Sequence, residues 1–147
     1  MPDYLQLLND HGMILGTWDQ TKVHVSPQWF WDRRIDLIDF RGDLRFFEPN
    51  SITFGFRIKV LTASHDMSAG TVGPMAIKRV WVHGPVFVGS GALLYNCELM
   101  PRSVVACGAV VRNMTVQSDT MVEGNPARVV KRYVNGQWQR VERQCDE

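Results

Sequence analysis

In the second half of the chain the aliphatic residues fall on a beat of six. Val82, Val88, Leu94, Met100 and Ala106 make one track; Val80, Val86, Ala92, Val104 and Val110 make another, which lapses at Glu98. An α-helix repeats about every 3.6 residues and a half-buried strand every second residue, so neither produces this pattern. A six-residue apolar period with Gly and small residues between the beats predicts an all-β parallel β-helix. Each short strand buries a side chain, the chain turns a corner, and the next strand buries another at the same level. An ordinary β-sandwich would instead space its turn signals about 8–12 residues apart. Glu98 stands on an interior-type beat, where a carboxylate requires a partner or a local slip of the repeat.

The beat also marks the organisation of the chain. Residues 1–34 form an N-terminal extension: Leu5, Leu7, Leu8 and Met13 make a short apolar face, and Trp29-Phe30-Trp31 is too aromatic for a bare linker. Residues 35–132 carry the coils, irregular at first, with Ile52, Phe54, Ile58 and Val60 on the beat, then regular from Ala76 to Val111 as about two coils of roughly eighteen residues. A Gly-, Ser- and Pro-containing stretch without apolar period, residues 66–75, predicts a loop leaving the coil surface. Over residues 133–147, Asn135-Gly136 between β-prone runs predicts a hairpin that caps the open end and protects its edge.

Composition narrows the partners. The net charge is +1, which gives no support to a nucleic-acid partner. No run approaches the roughly 18 apolar residues of a membrane span, and no signal-peptide pattern opens the chain, so a cytoplasmic location is expected. Cys97, Cys107 and Cys145 are odd in number and lack metal-ligand spacing; reduced thiols and no metal are expected.

Three segments carry a likeness to a known family. Val86-Phe87-Val88-Gly89-Ser90-Gly91-Ala92, then Ala106-Cys107-Gly108-Ala109-Val110-Val111, then Gly124-Asn125-Pro126-Ala127-Arg128 resemble the hexapeptide-repeat acetyltransferases. Within them the chain resembles the maltose and galactoside O-acetyltransferases, and nearest these the colanic-acid or capsular-polysaccharide branch. Leu61-Thr62-Ala63-Ser64-His65-Asp66 is similar to the segment that holds that family's catalytic histidine. The resemblance implies a left-handed β-helix, an exception to the usual right-handed crossover. It further implies a homotrimer with active sites between subunits, acetyl-coenzyme A as co-substrate, and a sugar or polysaccharide-precursor hydroxyl as acceptor. Where the family has a Trp, this chain has Phe87.

Acetyl transfer to an alcohol needs a base, because an unactivated hydroxyl is a poor nucleophile at neutral pH. Imidazole titrates in the right range, which makes His65 the candidate general base. Asp66 is a candidate for the acceptor side, although neighbouring residues of a strand point to opposite faces. His83, about one coil on, is the rival base, and its corner-like position favours a surface or subunit-contact role; His11 and His24 carry no signal. The resemblance places the cofactor at Ser90 and Cys107, with Phe87 near the thiol end and Arg112, Arg128 and Lys131 toward the phosphates, where cations form charge-assisted hydrogen bonds. Trp29-Phe30-Trp31 fits sugar stacking, and fits packing better. Two other classes compete. A non-catalytic trimeric scaffold would dispense with His65 and the basic tail, and a γ-type carbonic anhydrase would need three converging histidines. Transfer to the amine of an amino sugar stays open.

Overall fold

The structure is a computed structural model and describes residues 2–141. Three short helices open it: α1 (Tyr4–Asp10), α2 (Gln20–Val23) and α3 (Pro27–Asp32). Asp3 caps α1 by accepting from the Gln6 amide, Asp19 caps α2 by accepting from Thr21, and Pro27 starts α3 where its missing N–H costs nothing. β1 (Ile14–Leu15) lies between α1 and α2, and after α3 come β2 (Leu37–Asp39), β3 (Asp43–Phe47), β4 (Ile52–Phe54), β5 (Lys59–Leu61), β6 (Ala63–His65), β7 (Met75–Ile77) and β8 (Arg79–His83). The rest are β9 (Val86–Val88), β10 (Leu93–Leu99), β11 (Ser103–Val105), β12 (Val110–Val116), β13 (Thr120–Glu123), β14 (Arg128–Val134) and β15 (Gln137–Arg140).

Among the coils the pairing is parallel and runs from one coil to the next. Val80 pairs with Cys97 and Cys97 with Met114; Val86 pairs with Ser103; Leu93 pairs with Val110. Every one of these steps is seventeen residues. Three strand segments make each coil, and the rungs form three faces. The first holds β3, β8 and the second halves of β10 and β12; the second holds β4, β9, β11 and β13; the third holds β2, β5 and the first halves of β10 and β12.

Seventeen rather than eighteen corrects the expected phase. After Leu94 the chain turns its corner on Tyr95-Asn96 alone, with Asn96 at φ 45°, and the same corner one coil later is Arg112-Asn113, with Asn113 at φ 54°. Asn tolerates this left-handed backbone, so a two-residue corner suffices where the others take three. The inward set therefore slips by one. Cys97 and Leu99 point in, not Glu98 and Met100; Val105 points in, not Val104 or Ala106; Ala109 and Val111 point in, not Val110. Glu98 is left on the outer face, half-buried and paired.

The inward side chains stack into one core. Val80, Val82, Val88, Leu94, Leu99, Val105, Val111 and Val122 are each 0% exposed, and each such burial stabilises by about 1.5–3 kcal/mol. The aromatic segment closes one end of this core. Phe30 is fully buried, Trp29 lies 5.3 Å from Phe54 and 5.0 Å from Phe30 between ring centroids, and Trp18 lies 5.1 Å from Phe40. At the other end β14 runs antiparallel to β13, turns at Asn135-Gly136, and pairs with β15. The chain beyond Val141, with Cys145, lies outside the described residues. Among the described residues no helix is long and apolar enough to cross a membrane.

Candidate active site

Between β5 and β8 the chain leaves the coils as a hairpin, β6 against β7, with Ser64 opposite Ala76 and His65 opposite Met75. Its root is held by a buried carboxylate. Asp39, 0% exposed, accepts from the Thr62 amide at 2.9 Å and from Arg41 at 2.9 and 3.0 Å. Thr62 in turn donates its hydroxyl to the Asp39 carbonyl at 3.0 Å and accepts from the Gly42 amide at 2.8 Å. A Cβ on Gly42 would stand 2.1 Å from the Thr62 carbonyl oxygen, so only glycine lets these two segments meet. The second leg is tied to the first where Lys78 donates its amide to the Thr62 carbonyl at 2.7 Å.

His65 stands exposed at the end of β6. Its Nδ1 lies 2.9 Å from the Gly73 carbonyl oxygen. A carbonyl can only accept, so Nδ1 carries the proton, and in the neutral imidazole it is Nε2 that keeps the lone pair. The loop that supplies this carbonyl is itself closed: the Gly73 amide donates to the Asp66 carbonyl and the Asp66 amide to the Pro74 carbonyl, both at 2.8 Å. Among the described residues no hydrogen bond joins Asp66 to the imidazole. Its Oδ1 accepts from the Ser68 amide at 2.9 Å, and the bonds from Ser68 hold its carboxyl below the ordinary value.

His83 is built differently: it ends β8 at the start of the corner His83-Gly84-Pro85. It stacks on Phe47 with ring centroids 4.6 Å apart and 10° between planes, and its Nε2 lies 2.7 Å from Glu98 Oε2. The Arg79 guanidinium reaches the other carboxylate oxygen at 3.4 Å and lies over Trp81, 4.3 Å from the ring centroid.

Ser90 and Cys107 come together on one corner, between the second and third faces. The Gly108 amide donates to the Ser90 carbonyl at 2.9 Å, and the Ser90 hydroxyl accepts from the Phe56 amide at 2.9 Å. A Cβ on Gly89 would stand 2.5 Å from the Cys107 nitrogen, which fixes glycine at this stacked corner. Cys107 is an exposed free thiol, whereas burial pushes the Cys97 thiol up to about 12. Arg128, exposed, stands opposite Glu123 in the β13–β14 register, next to the end of that corner. Arg112 lies at the opposite edge of the third face, beside the corner from which the hairpin leaves. Phe87 and Lys131 lie on the second face, around the corner from the others. The third face thus has Ser90 and Cys107 along one edge and the root of the His65 hairpin along the other. Sequence reasoning missed three features: the Gly73 partner of His65, the His83–Glu98 pair, and an Asn96–Asn113 side-chain bond of 2.9 Å. The seventeen-residue spacing of the two asparagines was the available signal for the last.

No protein-family model matches the sequence, and no curated protein matches it. Solved structures do match. A variant of AntD, an N-acyltransferase from Bacillus cereus in complex with dTDP-4-amino-4,6-dideoxyglucose and coenzyme A, superposes with a TM-score of 0.53 at 17% identity, over 60% of this chain and 52% of that one. The fold is shared with AntD. This chain spans about half the length of AntD. A hexapeptide-repeat containing acetyltransferase from Vibrio cholerae gives a TM-score of 0.46 at 22% identity, over 63% of this chain and 57% of that one. For a maltose O-acetyltransferase from Clostridium difficile the figures are 0.39, 23%, 54% and 43%.

Proposed function

We propose that the chain is an acyltransferase that moves the acetyl group of acetyl-coenzyme A to a hydroxyl of a sugar or polysaccharide precursor. The coils are read as a left-handed β-helix, assembled as a homotrimer whose sites lie between subunits. The observation that carries the chemistry is the His65–Gly73 contact, which holds the imidazole with Nε2 ready to accept a proton. The acceptor oxygen attacks the thioester carbonyl while Nε2 takes its proton. The tetrahedral intermediate then collapses, the C–S bond breaks, and the imidazolium returns the proton to the departing thiolate. No acyl-enzyme is required. A positioned general base of this kind contributes about 10²–10⁴-fold.

The cofactor arm is read along the corner of Ser90 and Cys107, where backbone amides and small residues allow close approach. Phe87 is assigned to the thiol end, and Arg112, Arg128 and Lys131 to the phosphates. On one chain Phe87 and Lys131 face away from His65, which favours a site completed by a neighbouring copy. Asp66 is assigned to the acceptor side, since its carboxylate is engaged with Ser68 rather than with His65. A second reading, transfer to the amine of an amino sugar, is favoured by the shared fold with AntD, an N-acyltransferase crystallised with a dTDP-linked amino sugar.

Thiol release from acetyl-coenzyme A, measured with hydroxyl and amino sugars in parallel, tests both readings. His65→Ala should lower turnover at least about a hundredfold with acetyl-coenzyme A affinity little changed. Undiminished turnover in that variant would remove His65 from the chemistry, and release driven only by amino sugars would select the second reading.

A further inference from the structure

We infer that the polar recess beneath the root of the His65 hairpin binds a neutral polyhydroxylated ring, a sugar; its role as the acceptor subsite rests on the acyltransferase reading, its binding does not. The recess has a volume of about 310 Å³, and its polar walls are Arg79, Asn96, Glu98, Asn113 and Thr115. That is near the lower end of the range for small-molecule sites, about 300–1,000 Å³.

Strand register fixes its place. Leu61 pairs with Tyr95 and Val80 with Cys97, so Thr62 and Arg79, which flank the hairpin, stand on the rung next to Asn96. Tyr95 pairs with Arg112 and Cys97 with Met114, so Asn113 stands one rung further on. The hairpin that carries His65 therefore rises from the same corner that the two asparagines line.

The lining is preorganised for hydroxyls. Asn96 Nδ2 donates to Asn113 Oδ1 at 2.9 Å, which sets how both carboxamides face. Among the described residues this bond leaves Asn96 Oδ1 free to accept and Asn113 Nδ2 free to donate. Glu98 is pinned by His83 at 2.7 Å and Arg79 at 3.4 Å, and each carboxylate oxygen retains a further acceptor site. Thr115 adds a hydroxyl. Most ligand sites are largely apolar with a few polar anchors; this recess reverses the proportion, which selects a ligand polar over its whole surface. An anion would need an excess of cation, and Arg79 is balanced by Glu98. An ammonium would need an uncompensated carboxylate, and Glu98 already serves two basic partners. Alternating donors and acceptors with no net charge match the hydroxyls of a sugar ring, each of which gives and takes one hydrogen bond.

The test uses the full ¹⁵N-labelled chain titrated with D-galactose, maltose and D-glucosamine, following the side-chain amides of Asn96 and Asn113. Galactose or maltose should shift both amide signals saturably. Asn113→Gly keeps the left-handed corner and removes the carboxamide; Thr115→Val keeps the shape and removes the hydroxyl. Each should weaken the sugar severalfold, and the pair about tenfold or more, with acetyl-coenzyme A affinity unaltered. Unmoved amides with all three sugars overturn the site, as does binding that both variants retain in full. Shifts with glucosamine alone overturn the neutral-hydroxyl assignment. Saturable galactose or maltose binding without acyl transfer to any acceptor upholds the site and defeats the acyltransferase reading instead.

Discussion

Asp39 carries its charge where water does not reach it, and its bonds account for that. Burial alone would push its carboxyl up; the bonds from Arg41, from the Thr62 amide and from the Arg41 amide outweigh burial and hold it below the ordinary value. Because the folded value is depressed, the stabilisation is present above the unfolded value of about 4 and is lost as pH falls through the folded one. Asp39→Asn should cost about 1–3 kcal/mol at neutral pH, read from urea unfolding. Below about pH 4 the gap between variant and wild type should close; a gap independent of pH would show that the charge is not what matters. The same residue illustrates what a sequence conceals. Ser64-His65-Asp66 could be picked out by composition and likeness. Asp39 gave no sign: Arg41 stands only two residues along, but Thr62 is brought to it from twenty-three residues away by a coil closure that residue order does not display.

Within an element, the two-residue corner of β10 decides which side chains build the core. The six-residue beat was legible from Val80 to Leu94, where every corner spends three residues. At Asn96 it failed, since a left-handed asparagine inside a continuous strand leaves no mark such as Gly or Pro. Two substitutions separate the phases. Leu99→Ala removes a fully buried side chain and should cost about 2–5 kcal/mol of unfolding free energy. Met100→Ala, only partly buried, should stay within about 1 kcal/mol. The reverse ranking in denaturant melts would restore the eighteen-residue coil. The hairpin carrying His65 was anticipated as a loop. Its closure by Gly73 was not, because the partner lies eight residues away across a turn, and only pairing of β6 with β7 brings it to the imidazole.

On the scale of the molecule, function was less legible than fold. Period and small residues led directly to stacked parallel strands, whereas the assigned cofactor side chains fall on two faces of one chain. Arg128 is the sharpest probe of that assignment, being exposed at the end of the Ser90–Cys107 corner. Arg128→Ala should weaken acetyl-coenzyme A binding about tenfold by calorimetry while leaving the thermal midpoint within a few degrees. An unaltered affinity would move the phosphates elsewhere. The aromatic segment resolves toward packing for Trp29 and Phe30, which close the core over Phe46 and Phe54.

The advance of seventeen residues per coil from β8 onward has a further consequence for how such a chain can change its size. Copying or excising a block of that length anywhere among the regular rungs would return every neighbour to its old partner, so the body can grow or shrink by one layer of about 4.8 Å. A block one residue longer would turn each following side chain inside out, because facing alternates along a strand. Variation in height therefore comes in whole layers, and an insertion that adds no layer has to leave the stack altogether, as the excursion bearing His65 does.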